Sequence, residues 1–389
     1  MTKGVATVFA FFFATSTFAQ NNSSRPVFFL PPLPPSVQSD GKISFHLRAP
    51  KATQVMLILD GSARPMQKDK RGVWNLTTAV MEPDVYTYNF LVDSLLILDP
   101  YNNFIKPAFQ GVGESLILIP GSPPKIWEVQ DQPHGILSRH LYRSDIIGDR
   151  REFYVYTPPG YDPNRAAAYP VLYLLHGIGD DARAWTQAGL ANIILDNLIT
   201  QGKAEPMIMV NTLGYGDANT MVSAKGFDQF MKSLLEEVQP QVEKQYHVAT
   251  DPAHRAIAGL SMGGAEAIFC GLNHPEIFSW VGGFSSAFVM YGIGSSSARA
   301  ARKDSSGVGE GIYDQRFPNL DSGINKQIKL LWISCGSSDF LLHSNNDFMQ
   351  WLSAKNIRFK DIETPGTHTW MVWRRNLEAF VPLLFRAKK

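Results

Sequence analysis

The five residues Gly259-Leu260-Ser261-Met262-Gly263 constrain the fold more than any other stretch of the chain. Before them, Arg255-Ala256-Ile257-Ala258 reads as a short buried strand. From Gly264 onward, Ala265, Ala267, Ile268 and Phe269 read as a helix. A turn this sharp between strand and helix thrusts one side chain above the sheet. Glycines on either side remove the Cβ atoms that would collide there. Ser261 then stands at a helix N-terminus, where outward-pointing backbone N–H groups favour negative charge. Strand, Gly-x-Ser-x-Gly turn and helix together form the pattern of a nucleophile elbow.

A serine hydroxyl is a poor nucleophile until a base takes its proton. In sheets built around such an elbow the partners follow in the order serine, acid, histidine. Three histidines lie downstream: His274, His343 and His368. His274, in Asn273-His274-Pro275, follows the elbow helix too closely to return to the serine. His343 stands four residues beyond the best acid and cannot easily reach both partners. His368, in Gly366-Thr367-His368-Thr369-Trp370, falls between an expected strand over 358–363 and a final helix. That is a loop at a strand's carboxyl end, where ligands gather in open α/β sheets. By elimination His368 is the expected base. Asp339 is the expected acid, since it follows the apolar run from Leu330 to Gly336 at another strand end. It would hold the imidazole tautomer and stabilise the imidazolium. Asp347 and Glu363 are the alternatives, the first on a following helix and the second still inside a strand. Asp339 would also cap the helix expected near Phe340.

An oxyanion needs two backbone donors. The Met262 amide, next after the nucleophile, is one. The other is expected from His176-Gly177-Ile178-Gly179, after the apolar run Val171-Leu172-Tyr173-Leu174-Leu175. Ile178 N–H is the first choice, with Gly177 and Gly179 close behind, and His176 is expected to support the loop rather than act as a base. Gly177, Trp185, Tyr215 and Trp370 lie near expected cleft loops and are candidate substrate contacts. The three aromatic residues fit core packing equally well.

Two textures divide the chain. Over 37–120, short alternating strands with turn punctuation predict a small all-β sandwich. Trp74 and Tyr86 there would either stack on sugars or fill its core. A Pro-rich lead-in over 20–36 precedes it, and a linker over 121–135 follows. Over 136–389 apolar strands alternate with helices, with candidate strands at 151–157, 171–175, 207–210, 255–258 and 330–334. This predicts one doubly wound domain, so the fold class is α/β, an α/β-hydrolase domain behind a sandwich. The Gly-, Ser- and Ala-rich stretch Gly294 to Gly311 is either surface filler or a lid.

The first 19 residues carry a positive start at Lys3, an apolar run from Val5 to Phe13 and small residues at Thr17 and Ala19. This is the pattern of a secretory signal cleaved near Ala19, too short to span a bilayer. The expectation is a secreted or periplasmic protein with no membrane anchor after cleavage. Thirty-six Lys and Arg against thirty-five Asp and Glu leave a net charge of +1, which gives nucleic acid no electrostatic foothold. The two cysteines, Cys270 and Cys335, read as buried thiols, too few for a metal site. No metal or other cofactor is expected.

Four segments are read together: Tyr154-Val155-Tyr156-Thr157-Pro158-Pro159-Gly160-Tyr161; Leu174-Leu175-His176-Gly177; the elbow with Gly264; and Gly366 to Trp370 with Trp373-Arg374-Arg375. Their combination resembles the family-one carbohydrate esterases, which include feruloyl, acetylxylan and enterochelin-type esterases. The N-terminal part resembles the immunoglobulin-like module, similar to family-48 carbohydrate-binding modules, that precedes many of them. One departure is Ile178-Gly179-Asp180-Asp181, where relatives often carry further glycines. The resemblance implies hydrolysis of carboxylic esters on plant-cell-wall polysaccharide or oligosaccharide, with a feruloyl-type acyl group favoured. Acetylxylan or siderophore esters are the alternative, and a non-catalytic carbohydrate-binding protein is the alternative of another class.

Overall fold

The computed structural model describes residues 31–218, 223–292 and 311–386. The expected leader and nearly all of the 294–311 stretch lie outside them. The described residues from Pro34 onward belong to one compact unit.

Two antiparallel sheets come first. One orders Ser36–Val37, Ile43–Arg48, Val73–Thr77 and Gln67–Lys68; the other orders Ser62–Pro65, Val55–Leu59, Val85–Val92, Glu114–Leu118 and Ile105–Lys106. Alternation explains their pairing: Ile43, Phe45 and Leu47 meet Val55, Leu57 and Leu59 in a common core. Val85–Val92 departs from alternation because both its faces are covered. Tyr86, Tyr88 and Phe90 face the sandwich core, while Val85 joins Leu116 in a cluster shared with Trp373 and Leu377 of the α/β part. Trp74 and Tyr86 are core residues. The Trp74 indole N–H donates to the Ala49 carbonyl at 2.9 Å, and the Tyr86 hydroxyl to the Glu82 carbonyl at 2.8 Å.

The segment expected as a linker is packed down. Ile126 and Trp127 are buried, and the Asn197 amide donates to the carbonyls of Ile126 and Glu128 at 2.6 and 2.9 Å.

An eight-stranded sheet follows, in the spatial order Ile136–Arg143, Arg150–Thr157, Ile208–Thr212, Val171–Leu175, Arg255–Leu260, Trp280–Phe284, Leu330–Gly336 and Lys360–Thr364. The first pair is an antiparallel hairpin; from Ile208–Thr212 onward the strands are parallel. Period two splits each strand between two cores. Val171, Tyr173 and Leu175 face one helical layer, and Leu172 and Leu174 the other. Two strands escape the sequence reading. Ile136–Arg143 is an edge strand with little burial. Trp280–Phe284 contains Gly282 and Gly283, which look like a turn. Glycine at 282 is a packing requirement, since a Cβ there would lie 2.8 Å from the Phe380 ring. Cys270 and Cys335 are free and buried.

Candidate active site

The loops after four parallel strands meet above the sheet, at the strand ends where open α/β sheets collect ligands. The sharpest is the elbow. Ser261 follows Arg255–Leu260 directly, opens the helix Ser261–Asn273 and holds φ at 52°, a left-handed conformation costly for a non-glycine residue. Gly263 permits it: a Cβ there would lie 2.4 Å from the His176 carbonyl oxygen. The strain is offset by burial of the whole first helical turn.

His368 lies 107 residues further along the chain, and its Nε2 stands 3.1 Å from Ser261 Oγ. Its Nδ1 is 2.8 Å from Asp339 Oδ2. The other Asp339 oxygen accepts the Leu341 amide at 2.8 Å, so this carboxylate both orients the ring and caps the turn behind it. Burial pushes the Asp339 carboxyl up, but the hydrogen bond and charge of His368, with the Leu341 amide, outweigh it and hold the carboxyl below its ordinary range. Phe340 and Trp373 flank the imidazole at 4.7 and 4.9 Å between ring centres. Such an arrangement can pass a proton from a serine hydroxyl to an imidazole whose cationic form has a buried anion behind it.

The other histidines lie elsewhere. His274 pairs with Glu276 at 2.8 Å, and His343 is exposed and 3.6 Å from Asp347. Asp347 lies within the helix Leu342–Ala354 and Glu363 within Lys360–Thr364.

His176 is buried beneath the loop that follows Val171–Leu175. Burial drives its pKa down to about 4, so the ring is neutral. Its Nε2 accepts the Gly214 amide at 3.0 Å, leaving Nδ1–H to donate to the Gly177 carbonyl at 2.8 Å. Gly177 and Ile178 line a cleft of about 380 Å³ together with Ser261, His368, Phe340, Trp370 and Trp373. Of the four candidate contacts, Trp370 and Gly177 stand at the cleft. Trp185 and Tyr215 do not. The Trp185 side chain is in the core, with its indole N–H donating to the Leu175 carbonyl at 2.8 Å. Tyr215 is buried under the loop, with its hydroxyl 3.0 Å from the Asp180 carbonyl. Both follow strand ends, but their side chains turn toward the apolar layer beneath.

The remaining lining was missed by sequence reading. Asp60, Thr87, Lys106 and Glu114 reach the cleft from the sandwich. No local signal marks them, because only the packing of two separately built parts brings them there. Phe340 was legible as the neighbour of Asp339, though not as a ring lying on His368. Among the described residues no cluster of His, Cys, Asp and Glu could hold a metal ion.

The Esterase family model matches residues 144–384. An endo-1,4-beta-xylanase/feruloyl esterase of Xylanibacter ruminicola is 30% identical over 365 residues, covering 90% of this chain and 46% of that protein. The chain thus spans less than half the length of this relative. A solved ferulic acid esterase is similar with a TM-score of 0.55 at 27% identity, over 64% of this chain and 97% of its own. The enterobactin esterase of Shigella flexneri shares the fold with a TM-score of 0.67 at 17% identity, over 88% of this chain and 92% of its own.

Proposed function

The chain belongs to the Esterase family, of the family-one carbohydrate esterase kind, and from that premise we propose that it hydrolyses feruloyl-type esters on plant-cell-wall glycans through Ser261, His368 and Asp339. The observation that carries this reading is the relay from Ser261 Oγ to His368 Nε2 at 3.1 Å and from His368 Nδ1 to Asp339 Oδ2 at 2.8 Å.

His368 Nε2 takes the Ser261 proton as Oγ attacks the acyl carbon. The carbonyl oxygen becomes an oxyanion, received by the Met262 and Ile178 amides. Collapse breaks the bond to the alcohol oxygen, which leaves with the proton from His368. Water then enters, gives a proton to His368 and attacks the acyl-enzyme; the second collapse frees the acid and returns the proton to Ser261. Asp339 stays ionised throughout, and its lowered pKa suits that task.

The acyl preference rests on the apolar wall. Phe340, Trp370 and Trp373 offer ring faces and edges suited to an aromatic acid. In the same cleft, Asp60 and Glu114 offer hydrogen-bonding groups suited to a hydroxyl-rich alcohol. An exported enzyme, as the leader expected over 1–19 implies, would meet such glycans outside the cell. A second reading, siderophore ester cleavage, is favoured by the fold likeness to an enterobactin esterase over 88% of the chain. A panel of methyl ferulate, acetylated xylan and a catecholate trilactone separates these. Ferulate release should be fastest. Faster acetate or catecholate release would reject the feruloyl assignment.

A further inference from the structure

The sandwich grips the loop over 177–180 from outside the domain that carries Ser261. Lys106, at the end of the short strand Ile105–Lys106, donates from its ammonium to the Asp180 carboxylate and stands 3.0 Å from Glu114 Oε2. Three residues later the Phe109 amide donates to the Gly179 carbonyl at 2.9 Å. The Phe109 ring stacks on Tyr215 with 4.6 Å between centres, and the Tyr215 hydroxyl donates to the Asp180 carbonyl at 3.0 Å. A charge pair, a backbone bond and a ring stack thus converge on four residues, two of them glycines.

These contacts need a reason. Lys106 and Asp180 are only 8% and 6% exposed. A buried ammonium is stable only where carboxylates compensate it, and breaking such a pair is costly because one charge remains alone. Neither residue touches Ser261, His368 or Asp339 in the relay. What they do touch is the loop carrying Ile178. An oxyanion donor works only when it is held to within tenths of an ångström of the developing charge. A segment with two glycines has little stiffness of its own. His176 holds its near end from below through the Gly177 carbonyl. The far end, Gly179-Asp180, is held by the sandwich and by Tyr215.

We propose that Lys106 and Phe109 are positioning residues for the oxyanion loop, so that the sandwich takes part in turnover by holding Ile178 in register with Met262. The proposal rests on the esterase reading above. It differs from a glycan-binding role for the sandwich in what it predicts for a substrate too small to carry a glycan.

The test uses the full chain and p-nitrophenyl acetate, below the melting temperature of each variant. For Lys106→Met, kcat should fall about 30-fold with KM within about twofold of the parent. Lys106→Arg should recover most of it, since a guanidinium can still pair with Asp180. Tyr215→Phe, which keeps the stack and removes one hydroxyl, should lower kcat roughly threefold to tenfold. A folded Lys106→Met with parental kcat, or a loss confined to KM, would overturn the proposal. If Lys106→Met does not fold, Phe109→Leu, which removes the ring stacked on Tyr215, decides: parental kcat there overturns it equally. Failure of the esterase reading has a different signature, namely no turnover by the parent chain or turnover that survives Ser261→Ala.

Discussion

The two walls of the cleft are built by different rules. On the α/β side, Ser261, Asp339, His368 and the 176–180 loop each follow a parallel strand, so a register of strand ends brings them together. On the sandwich side, Asp60, Thr87, Lys106 and Glu114 come from strands and turns with no such focus. They reach the cleft because Val85–Val92 and Glu114–Leu118 bury their second face against the α/β layer. One wall carries the whole of the proposed relay; the other carries none of it. A buried tie joins them. Arg374 of the final helix donates to Asp84 Oδ1 at 2.6 Å and to the carbonyls of Val85 and Ala188, and is fully buried. Six positions before Arg374 along the chain stands His368.

The α/β wall depends first on one hydroxyl. Ser261→Ala should lower ester turnover by about 10⁴-fold or more in a chain that still melts like the parent. Unchanged hydrolysis in that folded protein would remove the relay from the mechanism.

The tie between the walls is the next largest effect. Asp84→Ala leaves Arg374 buried without its anion and should cost about 3–5 kcal/mol of stability, read from urea unfolding. A loss under 1 kcal/mol would mean that the sandwich is docked by apolar area alone.

A third measurement separates internal support from external support of the 176–180 loop. His176 titrates at about 4 in the folded chain, below the ordinary 6.5, because burial disfavours its charge. The unfolded chain therefore binds the extra proton between these values. Stability is full above pH 6.5 and falls as pH drops toward 4, by about 3 kcal/mol from this group. Burial raises the carboxyls of Asp180, to about 6, and of Glu266, and these act in the opposite sense as pH drops. The His176 share is therefore read as the difference between parent and His176→Gln melting curves, which should widen from pH 6.5 toward pH 4. An equally steep profile in the variant would assign the acid sensitivity elsewhere.

The smallest effect concerns Phe340, which is 77% exposed and lies on the His368 ring. Phe340→Ala should raise KM for methyl ferulate several-fold, about 1 kcal/mol, while leaving acetate esters nearly unaffected. An equal change for both would reduce Phe340 to a support for the imidazole.

The elbow was legible because its pattern is written within the consecutive stretch 255–269, where a strand period, two glycines and a helix period leave one solution. Asp339 and His368 were legible at one remove, since strand ends in a parallel sheet share an edge. Trp185 and Tyr215 show where that reasoning stops. Position after a strand says that a residue is near the edge, and only the packed layer decides whether its ring turns into the cleft or into the core.

Covalent neighbourhood and periodicity thus determined the place of Ser261, its strained turn and the sheet beneath it, because those depend on interactions a few residues long. Tertiary packing decided the rest. Lys106 meets Asp180 across 74 positions and Asp84 meets Arg374 across 290. Pairs so distant exist only when two apolar faces have already come together, since hydrophobic burial brings the faces into contact and the buried charges then have to find partners there.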